Sequence, residues 1–342
     1  MSAFHLVVQG EEVATADLKA LSRMAHAEAI ERVSERAFRL TGADPASRPL
    51  VAGHCASAGL DFGFVGSGMR FSDFRLLAMD MDSTLITIEC IDEIADFAGR
   101  KAEVAAVTAS AMRGEIDWPQ SLRQRVAALA GLEASVLERV YRERLRLAPG
   151  AGKLLAASRQ HGVRTLLVSG GFTFFTDRLR AELGLDFAYS NVLVIGPDGC
   201  LAGEVTGPLV DAGGKARHLS RVRGELGLAR EQVLAIGDGA NDLAMMAEAG
   251  TSIAYHAKPV VQSQASYALN HSALDGVLSL FPASRRVPPA RENRRSPCSR
   301  PRKRRARPAP RGPAACPTRS PGWTSAALSA SDSLREGRAR SA

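Results

Sequence analysis

The stretch LLAMDMDSTL, residues 76–85, places two aspartates one residue apart directly after an apolar run. A continuous apolar run of this kind is typical of a strand that is buried on both faces of a parallel sheet. In extended backbone, side chains two positions apart point the same way, so Asp80 and Asp82 can share one face. Carboxylates this close repel each other unless one is ionised and the other can hold a proton. The stretch therefore predicts a charged site at the end of a buried strand.

Similar apolar runs recur further along the chain and alternate with helical patterns. They include GVRTLLVSG (162–170), VLAIGD (233–238) and TSIAY (251–255). This alternation predicts an α/β fold with a Rossmann-like parallel sheet that carries helices on both faces. The segment between the first two strands, about 88–147, has a helical pattern throughout. It is too long for a simple crossover, so we expect an inserted helical cap.

Three more polar clusters follow strand-like runs or occupy equivalent positions. They are Ser169 with Gly170 and Gly171, Lys215 in VDAGGKARHL, and GDGAND at residues 237–242. Ligands of open α/β sheets bind beyond the carboxyl ends of the strands, where these clusters are expected to meet. Each cluster alone also has an ordinary explanation. Asp is common in strand-end turns, Ser169 could cap a helix, and Lys215 could be a solvated lysine.

Together the clusters predict a metal and phosphate site. Buried carboxylates need a cation, and hard oxygen ligands without His or Cys favour Mg²⁺. Ser169 and the backbone N–H of Gly170 would form an anion cradle, and Lys215 would add a positive charge for a phosphoryl oxygen. A metal, an anion cradle and an ionised aspartate are the requirements for phosphoryl transfer.

The motifs DMDST, VSGG, Lys215 and GDGAND resemble, in order and spacing, the four motifs of the haloacid dehalogenase (HAD) superfamily of phosphatases. Longer stretches, such as MDSTLITIECIDEIADFAG (81–99) and IGDGANDLAMMAEAG (236–250), resemble the phosphoserine phosphatases of that superfamily. The resemblance covers about residues 74–281. It implies Mg²⁺-dependent hydrolysis of O-phospho-L-serine to serine and phosphate, the last step of serine biosynthesis.

The resemblance also implies roles for individual residues. Asp80 would attack phosphorus and become an aspartyl-phosphate, while Asp82 would protonate the leaving oxygen and then activate water. The Mg²⁺ ligands would be Asp80, the backbone carbonyl of Asp82, and Asp238, with Asp242 and Thr84 in support. The substrate-binding residues would be Glu89, Arg125, Ser169, Gly170, Lys215 and Asn241.

Glu89 and Arg125 would recognise the amino acid part of the substrate. Glu89 stands where the cap begins and would face the ammonium group, whereas Arg125 would bind the carboxylate with its planar guanidinium. Ordinary explanations stay open from sequence alone. Acids are common in the first turns of helices, and either Arg125 or its neighbour Arg123 could be a surface charge. Trp118 stands where this family usually carries Phe.

The ends of the chain have different compositions from the centre. Residues 1–73 suggest a small α/β module, similar to the shortened ACT-like modules of some bacterial members, with no catalytic cluster.

Residues 283–342 carry 16 Lys and Arg against 3 Asp and Glu, whereas residues 1–282 carry 28 against 33, so the net charge of +8 comes from the tail. This Pro- and Arg-rich tail predicts disorder. Its composition also resembles an out-of-frame translation of GC-rich DNA.

Several function classes are disfavoured. No apolar stretch approaches the roughly 20 residues of a membrane span, and we see no signal peptide. Five cysteines without a CxxC pair indicate a reduced, cytoplasmic protein without a zinc site. A small-molecule substrate is expected, and a homodimer is compatible with the sequence. The alternatives are a HAD enzyme for another small phosphate ester, such as phosphohomoserine, and, more distantly, nucleic-acid binding through the tail.

Overall fold

The computed structural model describes residues 4–282, which form two β-sheets. The predicted disordered tail, residues 283–342, lies outside the described residues. Across residues 4–282, every helix is too short or too polar to cross a lipid bilayer.

The smaller sheet is built by the first part of the described chain. Its elements are β1 (Phe4–Gln9), α1 (Thr15–Met24), β2 (Ala29–Arg32), β3 (Ala37–Thr41), α2 (Arg48–Ala58) and β4 (Asp61–Gly66). The strands are antiparallel in the order β2-β3-β1-β4, which is a ferredoxin-like arrangement. Leu6 and Val8 belong to a buried cluster with Leu18 and Leu21 of α1, whereas Val7 belongs to the core of the larger sheet. The likeness to ACT modules stays a prediction.

The larger sheet has seven strands in the order β11-β10-β9-β5-β6-β7-β8. Its strands are β5 (Leu76–Met79), β6 (Arg164–Phe172), β7 (Phe187–Ile195), β8 (Leu201–Thr206), β9 (Val233–Gly237), β10 (Thr251–Tyr255) and β11 (Tyr267–Leu269). The predicted parallel sheet is confirmed except at one edge, where β8 is antiparallel to β7. Only five residues join these two strands, and such a short loop can connect only antiparallel neighbours.

The segment between β5 and β6 is helical, as the sequence predicts for a cap. Its helices are α3 (Cys90–Phe97), α4 (Lys101–Met112), α5 (Trp118–Ala127) and α6 (Ser135–Arg139), followed by a helical turn at Val140–Arg144. The two connections to the core run side by side, since the N–H of Thr87 donates to the carbonyl of Arg146 at 3.0 Å. The cap therefore covers the strand ends from a narrow base.

Helices pack on both faces of the larger sheet. They are α7 (Ala151–His161), α8 (Thr173–Leu183), α9 (Ala212–Glu225), α10 (Leu243–Ala247), α11 (Pro259–Gln262) and α12 (Gly276–Leu280). Leu76 and Ala78 join a buried cluster with Leu219 of α9, whereas Leu77 and Met79 join the cluster on the other face. Burial on both faces explains why this strand is apolar at every position.

Candidate active site

Three aspartates meet at the carboxyl edge of the larger sheet. Asp80, Asp238 and Asp242 each bring one carboxylate oxygen within 4.8 Å of the other two. Asp80 follows β5 and Asp238 follows β9, and these strands are parallel neighbours, so the topology sets the two side by side. The N–H of Gly239 donates to Oδ2 of Asp242 at 3.0 Å. The structure thus brings together three of the four predicted acids.

Lys215 lies between two of these carboxylates. Its Nζ is 2.7 Å from Oδ2 of Asp80 and 2.7 Å from Oδ1 of Asp242. The Asp211 side chain caps α9 by accepting from the N–H of Gly214 at 2.6 Å, and this fixes the first turn that carries Lys215. Burial alone would lower the pKa of Lys215, but Asp80 and Asp242 outweigh it and raise that pKa. Lys215 is therefore a fixed positive charge.

Burial and crowding raise the pKa values of the acids in this cluster. Burial and the neighbouring Asp242 raise the pKa of Asp80 well above its ordinary range, although Lys215 opposes the shift. Burial raises the pKa of Asp238 to about 6, against the opposing hydrogen bond from the Thr84 hydroxyl, which donates to Oδ1 at 2.8 Å. Both carboxylates would ionise more readily beside a bound cation.

The cluster fits a divalent metal ion. Three carboxylates and one ammonium leave two negative charges, which one divalent ion would balance. The three residues of the group offer only carboxylate oxygens, with no His or Cys among them, and such ligands suit Mg²⁺. The side chain of Asp82 does not belong to this group of three, and the role of its backbone carbonyl as a ligand stays a prediction.

Asp82 sits beside this cluster in a tight turn. Its Oδ1 accepts from the N–H of Cys90 at 3.0 Å, and the hydroxyl of Ser169 is 3.5 Å from Oδ2. Ser83 adopts the left-handed φ of 55°, which is uncommon for a residue with a side chain. Burial raises the pKa of Asp82, although the N–H of Cys90 opposes the shift. A raised pKa favours the protonated acid, which is the form that can donate a proton.

Ser169 and the two glycines lie at the irregular end of β6. The N–H of Gly171 donates to Oγ of Ser169 at 2.8 Å. The alternative that Ser169 caps a helix is wrong, because α8 begins at Thr173 and its N-cap residue is Phe172. A Cβ on Gly171 would lie 2.9 Å from Oδ2 of Asp82, so only glycine lets the two segments approach this closely.

Buried Asn191 supports this turn and was missed in the sequence analysis. Its Nδ2 donates to the carbonyl of Gly170 at 2.8 Å, and its Oδ1 accepts from the N–H of Val210 at 2.9 Å. Asn191 lies inside β7, and no motif in the sequence marks it. The available signal was the polar pair Ser190 and Asn191 in the middle of a strand whose other residues are apolar or aromatic.

A cavity of about 510 Å³ opens in front of these groups. Most predicted site residues line it, namely Asp80, Asp82, Glu89, Arg125, Ser169, Gly170, Asp238 and Asn241. The remaining three, Thr84, Lys215 and Asp242, are buried behind its wall. The cap closes the opposite side with Ile91, Thr108, Ala111, Ile116, Trp118, Ser121 and Leu122.

Glu89 and Arg125 form the charged part of the cap wall. The hydroxyl of Ser83 donates to Oε1 of Glu89 at 2.8 Å, which connects the catalytic turn to the cap. Arg125 is half-buried and lines the cavity, whereas Arg123 is exposed and does not. The Nε of Arg125 is buried and, among residues 4–282, has no hydrogen-bond partner. Arg125 thus lines the cavity with a guanidinium whose hydrogen-bonding capacity is not fully used, and such a group can bind an anionic part of a ligand.

Two further residues shape the cavity. Trp118 lies over Gly170, since its Cζ2 is 3.0 Å from the point that a Cβ on Gly170 would occupy. Lys258 also lines the cavity wall. No sequence motif marks Lys258, although a lysine shortly after the strand TSIAY belongs to the same sheet edge as Asp238.

The fold and the acid cluster define a class of hydrolase. Residues 74–250 match the family profile of the haloacid dehalogenase-like hydrolases, and the chain belongs to that family. Within it, the similarity is to phosphoserine phosphatases. The chain is 55% identical over 229 residues to the phosphoserine phosphatase of Polaromonas sp., an alignment that covers 66% of this chain and 97% of that relative. A second profile, a domain of unknown function (DUF4072), matches residues 6–51.

Solved structures agree with this relationship. A probable phosphoserine phosphatase from Vibrio cholerae has a TM-score of 0.70 and 36% identity, and the match covers 82% of this chain and 86% of that one. A phospho-aspartyl intermediate analogue of phosphoserine phosphatase has a TM-score of 0.57 and 35% identity, with 61% of this chain and 99% of that one covered.

Proposed function

We propose that this chain is a Mg²⁺-dependent phosphatase that hydrolyses O-phospho-L-serine through an aspartyl-phosphate on Asp80. One observation carries the proposal. Asp80 opens onto a cavity whose opposite wall holds Glu89 and Arg125, so one cavity offers a nucleophile, an acid and a base. The Polaromonas relative and the phospho-aspartyl analogue support the same reaction.

Asp80, Asp238 and the backbone carbonyl of Asp82 would hold Mg²⁺, with Asp242 in support. Bound there, the ion would neutralise the charge on the phosphoryl oxygens and orient the ester. Ser169, the N–H of Gly170 and Asn241 would stabilise the other oxygens of the phosphoryl group. Lys215 acts from behind the wall, where it fixes the orientation of Asp80 and extends positive charge toward the phosphate.

The chemistry then follows in two steps. In the first, a carboxylate oxygen of Asp80 attacks phosphorus, the bond from phosphorus to the serine oxygen breaks, and Asp82 gives its proton to that oxygen. In the second, Asp82 accepts a proton from a water molecule as the water oxygen attacks phosphorus. The bond from phosphorus to Asp80 breaks, and inorganic phosphate leaves.

The cap supplies substrate selection. Glu89 would pair with the substrate ammonium, and Arg125 would bind its carboxylate with two parallel hydrogen bonds. The apolar cap residues around Trp118 would exclude water during phosphoryl transfer. The cytoplasmic location and the homodimer stay predictions from the sequence.

A phosphate-release panel tests the proposal. The substrates are phosphoserine, phosphohomoserine and p-nitrophenyl phosphate, each with Mg²⁺ and with EDTA. We expect the highest kcat/KM for phosphoserine and loss of all release in EDTA. A higher kcat/KM for phosphohomoserine would select the alternative substrate, and full activity in EDTA would contradict the metal site.

A further inference from the structure

Lys258 is a cation of the cavity wall that no step of the mechanism uses. It follows β10, which is the parallel neighbour of β9, so it reaches the same sheet edge as Asp238. Its side chain lines the same cavity as Asp238 and Asn241. Lys258 is exposed, whereas Lys215 is buried against Asp80. The two lysines therefore cannot have the same task.

The turn that carries Lys258 is held in place. His256 has the left-handed φ of 46°, and its N–H donates to the carbonyl of Leu269 at 2.8 Å. The side chain of Gln262 donates to the carbonyl of Ala257 at 2.6 Å. Pro259 restricts the preceding residue to extended backbone, and Lys258 has φ −66° and ψ 152°. Strained backbone maintained by its surroundings is a feature of functional turns.

Within the described part of the chain, no carboxylate forms a salt bridge with Lys258. Among residues 4–282, the lysines that form salt bridges are Lys101, Lys153 and Lys215. The cavity wall itself carries four acids, Asp80, Asp82, Glu89 and Asp238, against the cations Arg125 and Lys258. A phosphate ester is close to a dianion at neutral pH. The incoming dianion meets these carboxylates as well as the cations of the wall, so an exposed and unpaired lysine there would favour its approach.

We propose that Lys258 guides the substrate phosphate into the cavity from the sheet edge that it shares with Asp238. This inference rests on the proposed function, because it assumes that the substrate is a phosphate ester. Lys258 acts on the incoming dianion through its charge and takes no part in bond making or proton transfer. An exposed charge of this kind changes the association step and its salt dependence.

The test compares Lys258→Met and Lys258→Arg with the wild type over a range of NaCl concentrations. For Lys258→Met at low salt, we expect kcat/KM to fall about threefold to tenfold, with kcat within about twofold of wild type. The difference should shrink as salt screens the charge. Lys258→Arg should keep most of the wild-type kcat/KM. Lys19→Met, which removes an exposed charge from α1, is the matched control and should change neither value.

Phosphoserine and p-nitrophenyl phosphate are both assayed, because the second has a phosphate and no amino acid group. The kcat/KM for p-nitrophenyl phosphate therefore tests the role of Lys258 even if phosphoserine is not the substrate. Loss with both substrates supports the proposal. Loss with phosphoserine alone would mean a contact to the amino acid part and would overturn it. An unchanged kcat/KM, or an equal, salt-independent loss of kcat and kcat/KM, would also overturn it.

Discussion

The Nζ of Lys215 lies 2.7 Å from Oδ2 of Asp80, and both side chains are almost completely buried. The same ammonium is 2.7 Å from Asp242, so it joins the nucleophile to the loop that follows β9. This arrangement explains how two buried acids can lie next to each other before any metal binds. Because Lys215 pairs with both buried acids, it should contribute to the stability of the fold as well as to the reaction.

Replacing Lys215 by Met should therefore destabilise the protein. Removing one partner from a buried ion pair costs about 3–5 kcal/mol, because the remaining charges stay buried without compensation. We expect a fall of that size in the free energy of unfolding in urea without Mg²⁺, together with loss of phosphatase activity. Lys153→Met is the control, since its surface bridge to Asp275 contributes about 0–1 kcal/mol. Wild-type stability in Lys215→Met would contradict the account.

Arg125→Ala should weaken phosphoserine binding without affecting substrates that lack a carboxylate. Loss of charge-assisted hydrogen bonds should raise KM for phosphoserine roughly tenfold to a hundredfold. The KM for p-nitrophenyl phosphate should stay near the wild-type value. Arg123→Ala on the same helix is the matched control, because Arg123 is exposed and lies outside the cavity wall. Equal effects on the KM values of both substrates would show that Arg125 does not bind the substrate carboxylate.

Gly171→Ala should lower kcat with little effect on folding. Its new Cβ would lie 2.9 Å from Oδ2 of Asp82, which must move away. Displacing a reacting group by about 1 Å can cost about a hundredfold in rate. Gly152→Ala in α7 is the control, since a Cβ there meets nothing within 4 Å and should stabilise by about 0.4–1 kcal/mol. A wild-type kcat in Gly171→Ala would show that Asp82 tolerates the shift.

The KM for phosphoserine should depend on pH through Glu89. Burial and the charge of Asp82 raise the pKa of Glu89 to about 7, although its remaining exposure lets solvent screen part of this effect. Because a raised pKa keeps the acid neutral to higher pH, Glu89 loses its charge as the pH falls through this value. The KM should then rise between about pH 8 and about pH 6.

Two comparisons isolate this effect from titration of the substrate phosphate. The KM for p-nitrophenyl phosphate should show only the phosphate titration, and Glu89→Gln should remove the additional pH dependence seen with phosphoserine. If Glu89→Gln keeps the wild-type pH profile, Glu89 does not face the substrate ammonium.

Much of the acid cluster could be predicted because its members follow buried parallel strands. The apolar run before Asp80 and the loop after β9 each identify a strand end, and the topology then brings them together. The strand β8 could not be recognised in the same way. Its residues alternate between exposed and partly buried positions at the edge of the sheet, so they form no continuous apolar run.

Other features depend on packing that no local pattern determines. The sequence left open whether Arg125 is a ligand or, like Arg123, a surface charge, and its place on the cavity wall follows from which face of α5 meets the cavity. The pairing of Lys215 with Asp242 spans 27 residues and requires the first turn of α9 to point inward. The N-cap alternative for Ser169 failed because β6 continues to Phe172 before the helix begins.

Trapping the phosphorylated enzyme tests the central claim most directly. The enzyme is mixed with phosphoserine and Mg²⁺, quenched in acid and reduced with borohydride, which converts an aspartyl-phosphate to homoserine. Mass spectrometry should find homoserine at position 80 in the wild type, and no such product in an inactive Asp80→Asn variant. Homoserine at a different aspartate, or wild-type phosphate release by Asp80→Asn, would contradict the assignment of Asp80 as the nucleophile.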